Sequence, residues 1–169
     1  MRVMGIDPGL TRTGYGVVER DGPGLKCLDV GTVRAPEGQT PAQQLYNLCI
    51  QLERVMEEWE PDAVSIEKLF FNSNTKSALR VGQASGIAML AGAESGIEVF
   101  EYTPTEVKRA VVGVGNATKD QVQYMVTTIL KLQAKPDSPD AADALALAIC
   151  HANGQRMRAA VRAGAQVLR

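Results

Sequence analysis

The 169-residue chain contains no apolar run near the roughly 18 residues a membrane-crossing helix requires. Its opening, Met1-Arg2-Val3-Met4-Gly5-Ile6-Asp7, breaks too early for the apolar stretch of a signal peptide. The three cysteines, Cys27, Cys49 and Cys150, have no CxxC or other ligand spacing, which argues against a zinc knuckle or a disulfide frame. There is one histidine, His151, and no internal repeat or low-complexity tract. These absences leave a cytoplasmic globular protein with buried thiols as the expectation. The length suits one domain with a hydrophobic core.

A strong positive charge is also missing. Net charge is −1, so a protein that simply coats DNA is disfavoured. The last 15 residues nevertheless carry Arg156, Arg158, Arg162 and Arg169 without an acid. Residues 1–153 are expected to form the domain and residues 154–169 a basic, flexible tail.

The pattern that remains is α/β. Residues 2–7, 13–20 and 25–34 read as strands separated by the turns Asp7-Pro8-Gly9 and Asp21-Gly22-Pro23-Gly24, an antiparallel meander. Thr40 and Pro41 open a helix over 41–59, with Leu45, Leu48, Leu52, Val55, Met56 and Trp59 on one face. Residues 62–68 form a fourth strand, made parallel to a neighbour by that crossover. A helix over 74–94 precedes strand 97–102, and helices over 104–111, 118–132 and 139–153 follow. Thr118 with Gln121 predicts a capping box, and Ser138-Pro139 a helix start. In helix 74–94, Ala78, Gly82 and Gly86 recur every four residues. That face either packs on the protein's own sheet or meets a second helix across a dimer.

Four acids stand out. Asp7 ends the first strand, where an Asp also serves a turn. Glu67 lies in the otherwise apolar or small run Ala63-Val64-Ser65-Ile66, where a charge requires a partner or a task unless it guards a sheet edge. Asp140 and Asp143 begin the last helix, where acids suit the helix dipole, and their spacing puts both on one face. If that helix packs beside the first strand, all four carboxylates converge. Two like charges 4 Å apart cost on the order of 4 kcal/mol at an effective dielectric of 20. Such a group calls for a cation, and oxygen-only ligands select Mg²⁺ or Mn²⁺. Two such ions about 3.5–4 Å apart hydrolyse phosphodiesters.

Several segments together closely resemble the RuvC family of Holliday-junction resolvases: Ile6-Asp7-Pro8-Gly9 with Thr13-Gly14-Tyr15-Gly16, Ile66-Glu67, Ala78-Leu79 leading to Gly82-Gln83-Ala84, and Asp140-Ala141-Ala142-Asp143-Ala144-Leu145-Ala146. The resemblance spans about residues 2–152. It implies an RNase H-like fold with a five-stranded mixed sheet, three strands antiparallel and then parallel, flanked by helices. It implies a homodimer that nicks four-way junction DNA symmetrically, leaving 5′-phosphate ends, in partnership with the RuvA–RuvB branch-migration complex. It carries the family's four acidic positions onto Asp7, Glu67, Asp140 and Asp143, and its basic positions near DNA onto Lys108 and Lys119.

Lys119 stands just after the loop Gly113-Val114-Gly115-Asn116, where backbone N–H groups could grip a phosphate and the lysine add charge near the transition state. Taken alone it is a solvated lysine. Lys76 and Arg80 are candidates for backbone phosphates, with solvent exposure equally open. The resemblance assigns Phe70 to stacking on or unpairing bases, and Phe71 is expected to pack. His151 is expected near a helix C-terminus, outside the chemistry. Three other readings stay open: a nuclease of this fold acting on structured RNA, a non-catalytic DNA-binding module, and an actin-like ATP-binding domain. The last requires a second related subdomain that this length without a repeat does not supply.

Overall fold

The computed structural model describes residues 1–69 and 75–167, excluding the side chains of 75–77 and 156–167. Strands β1 (Arg2–Asp7), β2 (Arg12–Asp21) and β3 (Gly24–Arg34) form the expected meander. Helix α1 (Pro41–Trp59) then crosses over to β4 (Ala63–Glu67), and α2 (Thr75–Glu94) to β5 (Glu98–Tyr102). Both late strands are parallel to their neighbours, giving the order β3-β2-β1-β4-β5. The remaining helices are α3 (Pro104–Val112), α4 (Lys119–Ile129) and α5 (Pro139–Val167). Among the described residues no helix is long and apolar enough to cross a membrane.

Local chemistry accounts for the boundaries. Thr40, Thr103 and Thr118 each accept from the backbone N–H three residues on, and Gln43, Glu106 and Gln121 return the bond to complete capping boxes. The Ser138 hydroxyl accepts from Ala141 N at 3.1 Å and opens α5. That helix, predicted over 139–153, continues to Val167, so the Arg-bearing segment prolongs α5.

The two sheet faces bury different cores. One packs Met4, Ile6, Val17, Val64 and Ile66 against Leu48, Leu52 and Met56 of α1 and Ala84, Ala88 and Ala91 of α2. The other packs Val3 and Val18 against α5, with α3 and α4 beyond. Here α5 lies almost on the strands. A Cβ at Gly5 would overlap the Ala144 carbonyl oxygen, and one at Gly14 the Asp140 carbonyl. The small-residue stripe of α2 divides differently from the expectation. Its sheet-packed residues are Ala84, Ala88 and Ala91, whereas a Cβ at Gly86 would meet nothing.

Candidate active site

The close approach of α5 decides what stands at one end of the sheet. On β1, side chains alternate so that Met4 and Ile6 enter the α1/α2 core while Gly5 and Asp7 face α5. Asp7 is the last residue of β1, and Glu67 the last of the parallel neighbour β4. The turn after Asp7 is held by the buried Thr13 hydroxyl, which donates to Gly9 O at 2.7 Å and accepts from Gly9 N at 3.1 Å. Asp140 and Asp143 occupy the first turn and a half of α5, over Gly14. The four acids expected to meet are therefore gathered at one end of the sheet.

Their mutual field acts on Asp7 and Glu67. The Asp7 carboxyl is pushed up to about 7 by burial and then by the negative charges of Asp143, Glu67 and Asp140, with Lys119 opposing. Glu67 is raised as well, by burial and then by Asp143, again against Lys119. Two basic side chains answer this charge. Lys119, the first residue of α4, donates from Nζ to Asp143 Oδ2 at 3.0 Å. Its own pKa is raised by that hydrogen bond and by the charge of Asp143. Arg12, at the start of β2, pairs through Nε with Asp140 Oδ2.

Asp7, Glu67, Asp143, Lys108 and Lys119 line a cleft of about 240 Å³, floored by Val122, Ala146 and Leu147. Lys108 is therefore beside the acids. Arg80 is exposed on α2 without a hydrogen bond or ion pair to them. Phe70 and Phe71 lie outside the described residues, as does the Lys76 side chain. The Gly113–Asn116 segment is more structured than a free phosphate loop. Gly113 is the left-handed cap of α3, its N–H bonded to Arg109 O, and Gln121 N is already taken by Thr118.

His151 corrects its expectation. Because α5 runs on, His151 sits mid-helix and is 1% exposed. Its ring packs 4.4 Å from that of Phe100, and Nδ1 shares a 2.8 Å hydrogen bond with the Tyr102 hydroxyl. Arg12 was not singled out by the sequence. The available signal was its position two residues before Gly14, which places both on the α5 side of β2.

The donor set suits a hard divalent cation. The acids offer carboxylate oxygens only, and a buried Asp with a pKa near 7 gains from a cation beside it. Asp140 and Asp143 are turned toward Arg12 and Lys119, so their oxygens are not drawn into a tight ligand trio with Asp7 and Glu67. Among the described residues, the trio of ligand atoms within 4.8 Å is Cys49, Glu53 and Glu94, from α1 and the end of α2.

Comparison with known proteins agrees with this geometry. The family model described as crossover junction endodeoxyribonuclease RuvC matches residues 3–151. The protein of that name from Ruminiclostridium cellulolyticum is 51% identical over 159 residues, covering 94% of this chain and 96% of the relative. That from Pelotomaculum thermopropionicum is 50% identical over 153 residues, covering 90% and 93%. Among solved structures, T. thermophilus RuvC in complex with Holliday junction substrate superposes with TM-score 0.88 at 36% identity, covering 93% of this chain and 96% of that one. The yeast mitochondrial resolvase Ydc2, at TM-score 0.70, 16% identity and coverage of 99% and 86%, shares the fold. The sheet order and helices are RNase H-like, and the chain belongs to the RuvC family.

Proposed function

We propose that this protein is a structure-selective endonuclease that resolves four-way DNA junctions in recombination and repair. The observation that carries the reading is the meeting of Asp7, Glu67, Asp140 and Asp143 at one end of the sheet, in a chain of this family. Asp7, Glu67, Asp140 and Asp143 would hold Mg²⁺ or Mn²⁺, two ions per site. Bound there, the ions would polarise the scissile phosphate and make water acidic enough to attack at neutral pH.

The chain's own groups supply the rest. Partial burial of Asp7 and Glu67 weakens solvent screening and strengthens charge interactions at the phosphate. Water oxygen bonds to phosphorus as the bond to the 3′ oxygen breaks. Attack on the opposite side leaves a 5′-phosphate; the attacking water gives up a proton to solvent, and the departing 3′ oxygen takes one from solvent. Lys119 places an ammonium beside Asp143, where it offsets negative charge building on the phosphoryl oxygens, and Lys108 adds a second cation along the cleft. Phe70, two residues after Lys68 at the exit of β4, would stack on or unpair bases at the crossover. Lys76 and Arg80 would touch phosphates further along the arms.

Two partnerships extend the reading. Symmetric cleavage calls for a homodimer, and α2 supplies an exposed apolar face: Leu79, Met89 and Leu90 are 65%, 41% and 46% exposed beside the open Gly86. The RuvA–RuvB branch-migration complex is the proposed cytoplasmic partner.

The deciding experiment compares nicking of a mobile four-way junction, linear duplex and structured RNA in Mg²⁺ and in Mn²⁺. Paired symmetric cuts confined to the junction are expected. Preferential RNA cleavage would reassign the enzyme, and no cleavage with either ion would leave a binding module. Leu90→Glu should shift the protein toward a monomer in sedimentation and uncouple the paired nicks.

A further inference from the structure

The acids do not end the row of charges across this end of the sheet. Arg12 of β2 and Arg34 of β3 are direct antiparallel partners, so their side chains leave the same face. That face is the one on which Gly14, two residues along β2, meets α5, so both arginines stand on the site side. Adjacent strands are about 4.8 Å apart. Along the sheet end the order is therefore Arg34, Arg12, Asp7 and Glu67, with Lys119 and Lys108 beyond and Asp140 and Asp143 above. An acidic centre lies between two basic flanks.

The β2–β3 flank brings two guanidinium groups side by side. Like charges directly opposed on neighbouring strands repel. Asp140 answers one of the two guanidinium groups through Arg12, and among the described residues the Arg34 guanidinium has no hydrogen bond or ion pair. Glu37 is on the same wall, exposed to solvent, in an open hollow of about 530 Å³. The Arg12 side chain is 42% exposed, which leaves it room to turn outward from Asp140.

We propose that Arg12 and Arg34 are DNA-positioning residues that hold backbone phosphates on the side of the site opposite Lys108 and Lys119, and that Arg12 competes with the divalent cation for Asp140. The inference rests on the nuclease reading above and deepens it. An ion that takes Asp140 Oδ2 releases the guanidinium, whose planar fork then matches a phosphodiester bidentately beside Arg34. Cation binding and strand capture are thereby linked through one side chain.

The test measures junction binding with Mg²⁺ present, in an Asp7→Asn background that keeps Asp140, at several salt concentrations, together with Mn²⁺ affinity of the otherwise native protein without DNA. A phosphate contact contributes about 0.9 to the slope of log K against log salt. Arg12→Gln and Arg34→Gln should each reduce the slope by about 1, and the pair by about 2. Arg54→Gln, on exposed α1, is the control expected to leave it unchanged. Arg12→Lys should restore the slope. Arg12→Gln should also raise Mn²⁺ affinity several-fold, while Arg34→Gln should not. Slopes equal to the parent in both single variants and the double would overturn the positioning role, and an unchanged or lowered Mn²⁺ affinity in Arg12→Gln the competition. A parent that fails to bind the junction would instead overturn the nuclease reading itself.

Discussion

The two faces of the sheet use opposite means of packing. Toward α1 and α2 the strands present Met4, Ile6, Val17, Val64 and Ile66, and large side chains fill the space. Toward α5 they present Gly5 and Gly14, met by the backbone of Ala144, Ala148, Asp140 and Ala141, and Gly16, whose space the Leu145 side chain fills. The first face makes stability, with large strand and α1 side chains filling the space and Ala84, Ala88 and Ala91 of α2 closing over them. The second sacrifices side-chain volume so that a helix N-terminus can bring Asp140 and Asp143 to strands that end in Asp7 and Glu67. Closeness on that face is what turns four separate acids into one site.

The strongest attack on that contrast is Gly14→Val. Its side chain would meet the Asp140 backbone, lift the start of α5 and destabilise the fold by about 1–3 kcal/mol or more. Misplacing a carboxylate by about 1 Å is enough for a 100-fold loss of rate, so junction cleavage by the folded fraction should fall at least that far. Leu52→Ala, at a wholly buried position on the other face, should cost about 2–5 kcal/mol in denaturant melts. Cleavage per folded molecule should stay within about twofold. Equal rate losses in the two variants would erase the distinction between the faces.

Protonation sharpens the comparison, because the raised carboxyls lie on the α5 face. The Asp7 pKa rises from 3.8 unfolded to about 7 folded, so the folded state binds the proton more tightly. Without metal, the unfavourable charge of Asp7 is absent below about pH 4, grows as pH rises and is complete above about pH 7. Melts in chelator should therefore show Asp7→Asn gaining on the native protein across that window, by up to a few kcal/mol. Mg²⁺ or Mn²⁺ should shrink the gain. A constant difference across that pH range would contradict the electrostatic account of the site. The smallest effect belongs to Tyr102→Phe, which removes the hydroxyl bonded to His151. About 0.5–1.5 kcal/mol of stability should be lost in thermal melts, with cleavage little changed.

The sequence made the periodic elements and the acids legible for different reasons. Helix α1 was expected at its observed limits because Thr40-Pro41 and Pro61 bracket a clear apolar stripe. Parallel β4 followed from the crossover, and with it the adjacency of the strands that end in Asp7 and Glu67. The three-residue spacing joined Asp140 to Asp143, but only the packing of α5 on glycine put them beside the strands. Arg12 escaped notice because its role depends on the register of β2 against β3 and on where α5 starts, neither of which periodicity fixes. His151 was misplaced because α5 continues through Gly154, a residue unfavourable enough in helices to suggest a stop.

The central claim is that these four carboxylates form one metal-dependent cutting centre, and Asp7→Asn tests it most directly. The substitution keeps size and removes charge, so the variant should bind a synthetic four-way junction with near-native affinity. Its nicking in Mg²⁺ or Mn²⁺ should fall by about 1,000-fold or more, on the order of 4 kcal/mol in the barrier. Nicking at native rates by that variant would contradict the account.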